Sequence, residues 1–268
     1  MPKVLLLGDI FGKPGRQAVA RVLPSLREEY GLDLIVANVE NLAHGKGVTP
    51  RTLAELKAMG IDVFTSGNHV FDRGGQYEEC FERFPELIRP ANYETLGPGT
   101  IVPGYGYIRV EKNGQQYLVI NLGGRVFFEK QFKGTIANPF LTADKVITQE
   151  AQNGDIIIVD FHAEATSEKL ALGHYLDGRV SAVVGTHTHV PSADTRVMPS
   201  GTFFQADLGM TGVQHSAIGA TFESVMDIFL DKKEKFKMEV AEGECVVNGL
   251  FINFETKELQ RLQKMVDL

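Results

Sequence analysis

Short apolar runs alternate with longer amphipathic segments in the first part of the chain. The runs at 4–7 and 34–37 are unbroken and are followed by glycine or polar residues, which is typical of strands buried on both faces, and residues 61–65 predict a third strand. Between the runs, apolar residues recur at helical spacing, and Gly31 and Gly60 mark where the helices stop. Strands that alternate with helices every ~30 residues predict βαβ units and a parallel sheet.

The middle of the chain is less regular, and it contains one strong turn signal. Residues 71–90 indicate a partly helical segment, and residues 95–106 are rich in glycine and proline. Asn113-Gly114, which lies between two apolar stretches, predicts a β-hairpin. Residues 124–140 form a loop-like stretch whose phenylalanines either roof a site or cover a core, and residues 142–152 predict a helix.

The alternation of strand and helix then resumes and gives way to a β-rich tail. Residues 156–159 and 182–184 predict buried strands on either side of a helix that begins near Thr166. The tail predicts strands at four places: 202–205, 224–230, 235–242 and 244–254. We therefore expect residues 1–268 to form one domain, in which two sheets pack face to face with helices outside.

Composition and charge exclude several classes of protein. Hydrophobic residues make up 43% and charged residues 23% of the 268 residues, which suits an ordinary globular core. The formal net charge of −7 argues against bulk-charge binding of nucleic acid, although metal ions can still attract small phosphate esters. Two cysteines without a C-x-x-C pattern indicate a reducing compartment. No apolar stretch suits a signal peptide or a membrane span, so we expect a cytoplasmic protein without a membrane partner.

Polar side chains collect where the predicted strands end. His187 and His189 lie in GTHTHV, directly after the run 182–184, and strand alternation would place both imidazoles on one side. Taken alone, this pair is equally compatible with a polar loop. Right-handed crossovers bring the carboxyl ends of parallel strands to one edge, so the other strand ends are expected beside it. Those ends carry Asp9, Glu40, Asn41, Asn68, His69 and His162.

The donor atoms of these side chains favour a transition-metal centre. Carboxylate, amide and imidazole ligands together suit Mn, Fe or Zn better than Mg or Ca, and the lack of thiolates argues against a structural zinc site. The set offers more ligands than one ion needs, so we predict two ions that share a carboxylate. Two ions roughly 3.5–4 Å apart can hold a bridging hydroxide and clamp a phosphate for in-line attack. For each residue taken singly, a turn or a buried polar group is the alternative.

The order of the motifs resembles that of the calcineurin-like metallophosphoesterases: GD, an acidic strand end, GNH, a single histidine and GTHTH. More narrowly, seven segments resemble the YmdB-type branch of bacterial cyclic-nucleotide phosphodiesterases. They are GDIFGKPGR, ANVENLAHGKG, GNHVFD, RPANY, ATSEK, VGTHTHV and ADLGMTG. The resemblance implies an α/β fold, a four-layer αββα sandwich, with two divalent or trivalent metal ions, Fe or Mn being favoured and Zn also compatible.

The resemblance implies that Asp9 and His189 hold the first ion and that Glu40 bridges both ions. One departure from the broad superfamily concerns this first position, because Phe11 stands where the D-x-H motif has histidine. The YmdB-type branch compensates with the asparagine after the bridging glutamate, which is Asn41 in this chain. The occupancy of the first position therefore depends on Asn41.

The resemblance further implies that Asn68, His162 and His187 hold the second ion. His69, next to Asn68, would act as general acid on the leaving oxygen or stabilise the charge that develops there. Adjacent residues at a bend can serve metal and substrate separately, so this division also makes chemical sense from the residues alone.

These features predict a metal-dependent phosphodiesterase that hydrolyses phosphate esters of nucleotides, in particular 2′,3′- or 3′,5′-cyclic nucleotides, by attack of a hydroxide that bridges the two ions. A phosphomonoesterase or nuclease of the same fold is an alternative, and so is a nucleotide- or protein-binding regulator with slow turnover. The partner is expected to be a small phosphate ester, and a homo-oligomer is compatible with the sequence. Outside the rim, His44 could help to bind a phosphate, while Lys13 and Arg16 either steer an anion or are solvated charges.

Overall fold

The computed structural model describes residues 2–97, 99–132, 134–232 and 238–268, and these ranges form six helices and fifteen strands. The helices are α1 (Gly12–Tyr30), α2 (Pro50–Ala58), α3 (Tyr77–Arg83), α4 (Pro139–Glu150), α5 (Thr166–Leu176) and α6 (Phe222–Phe229). The strands are β1 (Lys3–Leu7), β2 (Asp9–Ile10), β3 (Leu34–Asn38), β4 (Val63–Thr65), β5 (Tyr93–Thr95), β6 (Tyr107–Lys112), β7 (Gln115–Gly123), β8 (Thr135–Ile136), β9 (Ile156–His162), β10 (Ala182–Thr186), β11 (Arg196–Val197), β12 (Phe203–Gln205), β13 (Met210–Val213), β14 (Cys245–Asn253) and β15 (Glu258–Val266). Within these ranges, none of the helices has the length and apolar character that a membrane crossing requires.

Two large sheets make up the centre of the molecule. The first has the order β2-β13-β14-β1-β3-β4, with β15 paired to β14, and the second has the order β11-β12-β10-β9-β7-β6. In the first sheet β1, β3 and β4 are parallel, and in the second β7, β9, β10 and β12 are parallel. Each sheet therefore delivers several carboxyl strand ends to one edge, as the apolar pattern predicts.

The apolar residues are arranged in three layers. Leu6 and Val36 of the first sheet and Val119 and Ile158 of the second belong to the layer between the sheets. The outer face of the first sheet packs against α1 and α2, and the outer face of the second packs against α4 and α5. The order helix, sheet, sheet, helix confirms the predicted αββα sandwich.

Local signals set the ends of several elements. Helix α1 ends where Gly31 adopts a left-handed φ of 62°. Thr49 caps α2, because its side chain accepts a hydrogen bond from the backbone N–H of Thr52. In the hairpin between β6 and β7, Asn113 and Gly114 have φ values of 51° and 77°, as a two-residue type I′ turn requires.

The structure corrects three predicted elements. A strand is predicted at 224–230, but residues 224–229 belong to helix α6 and Leu230 follows its end. Thr221 caps this helix by accepting a hydrogen bond from the backbone N–H of Ser224, and the apolar residues recur at helical spacing. Helix α4 begins before residue 142, since Asn138 caps it by accepting from the N–H of Phe140 at 2.9 Å. Of the strand predicted at 235–242, residues 235–237 lie outside the described residues, and residues 238–242 form no strand but only an isolated bridge between Val240 and Ala220.

Candidate metal centre

Every predicted site residue lies at a strand end or in the loop that follows it. Asp9 begins β2, while Glu40 and Asn41 follow β3. The other members sit at the ends of β4, β9 and β10: Asn68, His69, His162, His187 and His189. The two sheets thereby bring together side chains that are widely separated in sequence.

The tightest group surrounds the imidazole of His162. Among the described residues, Glu40, His162 and His187 offer ligand atoms that all lie within 4.8 Å of one another. The Nε2 atom of His162 lies 3.2 Å from Glu40 Oε1, 3.2 Å from Asn68 Oδ1 and 3.2 Å from His187 Nδ1. A carboxylate, an amide oxygen and two imidazoles at this spacing form a donor set that suits a transition-metal ion.

A second group forms around Asp9. Its Oδ1 atom lies 3.9 Å from His189 Nε2 and 3.8 Å from His162 Nδ1. Within the described part of the chain, Asp9 Oδ1 and Asn41 Oδ1 are buried and have no hydrogen-bond partner. Unpartnered buried oxygens are rare because they lose their hydration without compensation, and a bound cation would compensate both.

Asn41 is held so that its amide oxygen is available. Its Nδ2 donates to the carbonyl of Gly45 at 2.8 Å, and the residue lines the same cavity as Glu40, His187 and His189. Among the described residues its Oδ1 has no hydrogen-bond partner, so this oxygen is available to a ligand that enters the cavity.

Phe11 occupies the place of the missing histidine and forms an apolar wall. Its ring lies edge-on to His189, with the centroids 5.6 Å apart. Gly45 and Gly219 make room for the ring, since a Cβ atom at either position would lie 2.6 Å from it. Phe11 thus restricts the position of the His189 ring without offering a ligand atom.

Burial and mutual charge set the protonation of the group. Burial raises the pKa of Asp9. Burial also opposes ionisation of Glu40, but the charges of His162 and His69 hold the pKa of Glu40 well below its usual value. For His162, burial lowers the pKa, and the neighbouring Glu40 carboxylate outweighs burial and raises it to about 9. Burial and the charge of His162 lower the pKa of His187 to about 2, which leaves its imidazole neutral and free to bind a metal.

The two histidines of GTHTHV reach the site by a strained loop and not by strand alternation. Strand β10 ends at Thr186, and His187 and His189 have φ values of 102° and 67°. Both imidazoles line the same cavity, but strand alternation does not describe how they reach it. Left-handed backbone at a residue other than glycine costs on the order of 1–3 kcal/mol and persists only where the surroundings enforce it.

A buried ion pair, which the sequence reasoning missed, anchors this loop. Asp207 accepts hydrogen bonds from Thr188 N at 3.1 Å, from Thr188 Oγ1 at 2.7 Å and from Gly209 N at 2.8 Å. Lys169 Nζ donates to Asp207 Oδ2 at 2.7 Å and to the carbonyl of Thr186 at 2.8 Å. The segments ATSEK and ADLGMTG, which carry the resemblance, contain these two residues and were the signal that could have identified them.

A second buried network orients His162. Thr186 Oγ1 donates to Asp160 Oδ1 at 2.8 Å, so its oxygen is free to accept from His162 Nδ1 at 2.9 Å. The contact of Nδ1 with Thr186 fixes the ring so that Nε2 is directed at Glu40 and Asn68. Asp160 and Thr186 therefore fix the orientation of the His162 ring, although neither lines the cavity.

The glycine of GNH is required by the crowding of the site. A Cβ atom on Gly67 would lie 2.1 Å from His162 Cδ2 and 2.4 Å from Glu40 Oε2. Both distances are far inside van der Waals contact, so any other residue would displace two candidate ligands.

His69 lies beside the cluster of Glu40, His162 and His187, and its ring contacts the carboxylate of Asp72. Its backbone N–H donates to Glu40 Oε2 at 2.9 Å, and its Nδ1 lies 2.6 Å from Asp72 Oδ2. The side chain is 22% exposed and lines the cavity. Because Asp72 engages Nδ1, the Nε2 atom is the one that His69 can present to a substrate.

A cavity of about 570 Å³ lies over these residues. Phe128 covers one side of the cluster of Glu40, His162 and His187, and its ring centroid lies 4.2 Å from that of His187 and 5.8 Å from that of His162. Phe128 is fully buried, and Phe132 packs in the core beneath it. The phenylalanines of the 124–140 stretch therefore both cover the site, through Phe128, and pack in the core, through Phe128 and Phe132.

The weaker candidates lie apart from this cavity. Arg16 donates to Glu55 Oε2 at 2.7 Å and to the carbonyl of Leu42, so it ties α1 to α2 and to the loop between β3 and α2. Lys13 and His44 line smaller neighbouring cavities. The structure thus does not place Lys13, Arg16 or His44 among the residues that line the cavity over the metal group.

Comparisons with known proteins agree with this architecture. The family model for YmdB-like proteins matches residues 5–265. A 2′,3′-cyclic-nucleotide 2′-phosphodiesterase from Bacillus subtilis is 40% identical over 98% of this chain and 96% of that protein. A solved structure of a phosphatase from Mycoplasma pneumoniae has a TM-score of 0.88 at 32% identity, covering 99% of this chain and 94% of that one. A hypothetical protein from Thermus thermophilus has a TM-score of 0.87 at 37% identity, covering 99% of both chains.

Proposed function

The chain is a phosphoesterase of the YmdB-like family, and we propose that it is a metal-dependent phosphodiesterase whose substrates are cyclic nucleotides. The observation that carries the proposal is the cluster of Glu40, His162 and His187, of which Glu40 and His187 line the cavity, together with two buried oxygens that have no partner among the described residues. The name of the Bacillus subtilis relative supports a cyclic-nucleotide substrate, 2′,3′-cyclic in particular. A phosphomonoester is the second candidate, because the Mycoplasma pneumoniae relative is named a phosphatase.

The residues present fit two transition-metal ions. In our proposal Asp9, Asn41 and His189 hold the first ion, and Glu40 is shared by both. The unpartnered oxygens of Asp9 and Asn41 support this assignment, since each is an acceptor without a donor. When bound, the ions supply positive charge to the phosphate and lower the pKa of the water that serves as nucleophile.

The second ion is assigned to Asn68, His162 and His187 together with Glu40. The support is the 3.2 Å spacing of His162 Nε2 from its three neighbours. These nitrogen and oxygen donors accept Mn, Fe or Zn.

His69 is proposed as the general acid. It is beside Asn68 in sequence but turns its imidazole into the cavity, where the oxygen that leaves phosphorus would lie. Asp72 on Nδ1 fixes the orientation of the ring, and Nε2 would deliver a proton to the leaving ribose oxygen. The product is a phosphomonoester that has gained a hydroxyl group from water, with the ribose oxygen protonated.

Hydrolysis of defined substrates by metal-loaded protein tests the proposal. Protein reconstituted with Mn is assayed on 2′,3′- and 3′,5′-cyclic AMP, on AMP and on RNA, with and without added Mn. We expect Mn-dependent hydrolysis of a cyclic nucleotide. His69→Ala is expected to retain metal and lose turnover, and Glu40→Ala to lose both.

Two results would overturn the proposal. A wild-type protein that takes up no metal and hydrolyses none of these esters would exclude the enzyme function. Undiminished turnover of an unactivated cyclic nucleotide by His69→Ala would exclude the acid role while leaving the metal centre intact.

A further inference from the structure

The cavity over the metal group has a polar end and an apolar end. Glu40, Asn41 and the histidines form the polar end. The apolar end is formed by Ile218, Val225, Ile228, Phe229 and Met238. We propose that this apolar end is the subsite for the nucleobase and that Phe229 determines selectivity by stacking on it. The inference rests on the proposed function and adds the recognition of the base.

Helix α6 supplies most of the apolar end. Val225, Ile228 and Phe229 have the spacing i, i+3, i+4, which places them on one face of the helix. This face is directed at the cavity, and none of the residues of α6 is buried. The Phe229 side chain is 76% exposed, and Ile218, which lines the same cavity, is 52% exposed. Large apolar side chains clustered at the mouth of a polar site mark a binding surface.

The apolar end is continuous with the metal group. The carbonyl of Ile218 accepts from His189 Nδ1 at 2.9 Å, so the segment before α6 is tied directly to a proposed ligand. Phe11 touches His189 on the same side, with its ring in the space left by Gly219. In our proposal an ester whose phosphate lies against the polar end places its base beside this apolar surface. A volume of about 570 Å³ leaves room for the base, because small-ligand sites span ~300–1,000 Å³.

The chemistry of the wall suits the flat face of a base. Its side chains are aliphatic apart from the Phe229 ring and the Met238 thioether, so it offers surface and not hydrogen-bond donors for the edges of a base. Stacking of a base on an aromatic ring is tolerant of base identity and contributes about 1–3 kcal/mol per base. We therefore expect purine and pyrimidine nucleotides to bind, the purine more tightly because it stacks over a larger area.

The test compares an ester with a base to one without it. Mn-loaded wild type, Phe229→Ala and Phe222→Ala are assayed on 2′,3′-cyclic AMP and on methyl riboside 2,3-cyclic phosphate. Phe222 is the matched control: it lies on the same helix and is 40% exposed, but it packs on His215 and does not line the cavity. Phe229→Ala is expected to lower kcat/KM for the nucleotide about tenfold, through KM, and to leave the base-free ester unchanged.

Binding is measured alongside turnover so that failure of the subsite and failure of the proposed function are distinguishable. Calorimetry with 2′-AMP should show affinity about tenfold lower in Phe229→Ala than in Phe222→Ala, whether or not either protein hydrolyses the cyclic ester. An equal effect of Phe229→Ala on both esters, or none on either, would overturn the subsite even if hydrolysis is rapid. A change in sedimentation of Phe229→Ala with unchanged nucleotide kinetics would assign this face to contact between copies of the chain and would also overturn it.

Discussion

The buried ion pair between Lys169 and Asp207 is expected to hold the GTHTHV loop in its left-handed conformation. Both residues are nearly inaccessible, at 2% and 3% exposure, and their charged atoms lie 2.7 Å apart. Asp207 accepts two further hydrogen bonds from Thr188, between the two histidines. Loss of the carboxylate therefore removes the support of the loop and leaves the Lys169 charge buried.

The magnitude follows from the burial of both charges. Removing one partner of a buried pair costs about 3–5 kcal/mol, because the other charge keeps its desolvation cost without its attraction. Replacing both partners with apolar residues removes that penalty, so Lys169→Met with Asp207→Leu should recover most of the stability. The hydrogen bonds to Thr188 are not recovered in the double variant. Its affinity for Mn should therefore stay lowered by about 10–100-fold, the usual effect of losing support behind a metal ligand.

Urea unfolding measures the stability, and calorimetric titration with Mn measures the metal affinity. The matched control is Arg179→Met, which breaks the surface pair of Arg179 with Asp144; these side chains are 39% and 34% exposed, and the loss should stay below about 1 kcal/mol. If Asp207→Leu lowered the free energy of unfolding by no more than Arg179→Met does, the buried ion pair would not have the predicted effect on stability. Full recovery of Mn affinity in the double variant would refute the positioning role.

Three further predictions concern other parts of the structure. Gly67→Ala should keep its circular dichroism spectrum but bind less than half the wild-type Mn, because a Cβ atom 2.1 Å from His162 and 2.4 Å from Glu40 displaces both ligands; unchanged Mn content would contradict the crowding. Hydrogen bonds from Arg109 lower the pKa of Asp155, so Asp155→Asn should lose about 1–2 kcal/mol in urea unfolding at neutral pH. Because the pKa of Asp155 is lower in the folded protein than its unfolded value of about 3.9, its carboxylate stabilises the fold above that pH, and this stabilisation is lost as the pH falls. The difference in unfolding free energy between wild type and Asp155→Asn should therefore shrink below about pH 4. A difference that stays constant with pH would exclude the ionic contribution. Chelation by EDTA should lower the melting temperature and added Mn restore it, since a ligand bound to the folded state alone stabilises that state; equal melting temperatures would argue against a bound metal.

The sandwich and the convergence of the site residues could be predicted because they depend on local patterns and on a general rule. Continuous apolar runs mark buried strands, and the handedness of crossovers brings the ends of parallel strands to one edge. Asp9, Glu40 and His162 could therefore be grouped without any knowledge of distances. Caps such as Thr49 and the Asn113-Gly114 turn act within a few residues, so they too could be identified in advance.

The remaining features depend on contacts that no local pattern contains. Lys169 and Asp207 look like ordinary surface charges in sequence, and only tertiary packing pairs them away from water. The left-handed backbone of His187 is imposed by its surroundings, which is why strand alternation failed to describe it. The short apolar run at 224–230 is compatible with either strand or helix by periodicity, and a cap at Thr221 decided for the helix.

The count of bound metal ions per chain tests the two-ion centre most directly. Protein saturated with Mn, freed of excess metal and analysed by mass spectrometry should contain two ions per chain. His189→Ala should retain one ion, because Asn68, His162 and His187 are assigned to the other, and Glu40→Ala should retain neither. One ion in the wild type, or two ions in Glu40→Ala, would contradict the assignment of Glu40 as the shared ligand.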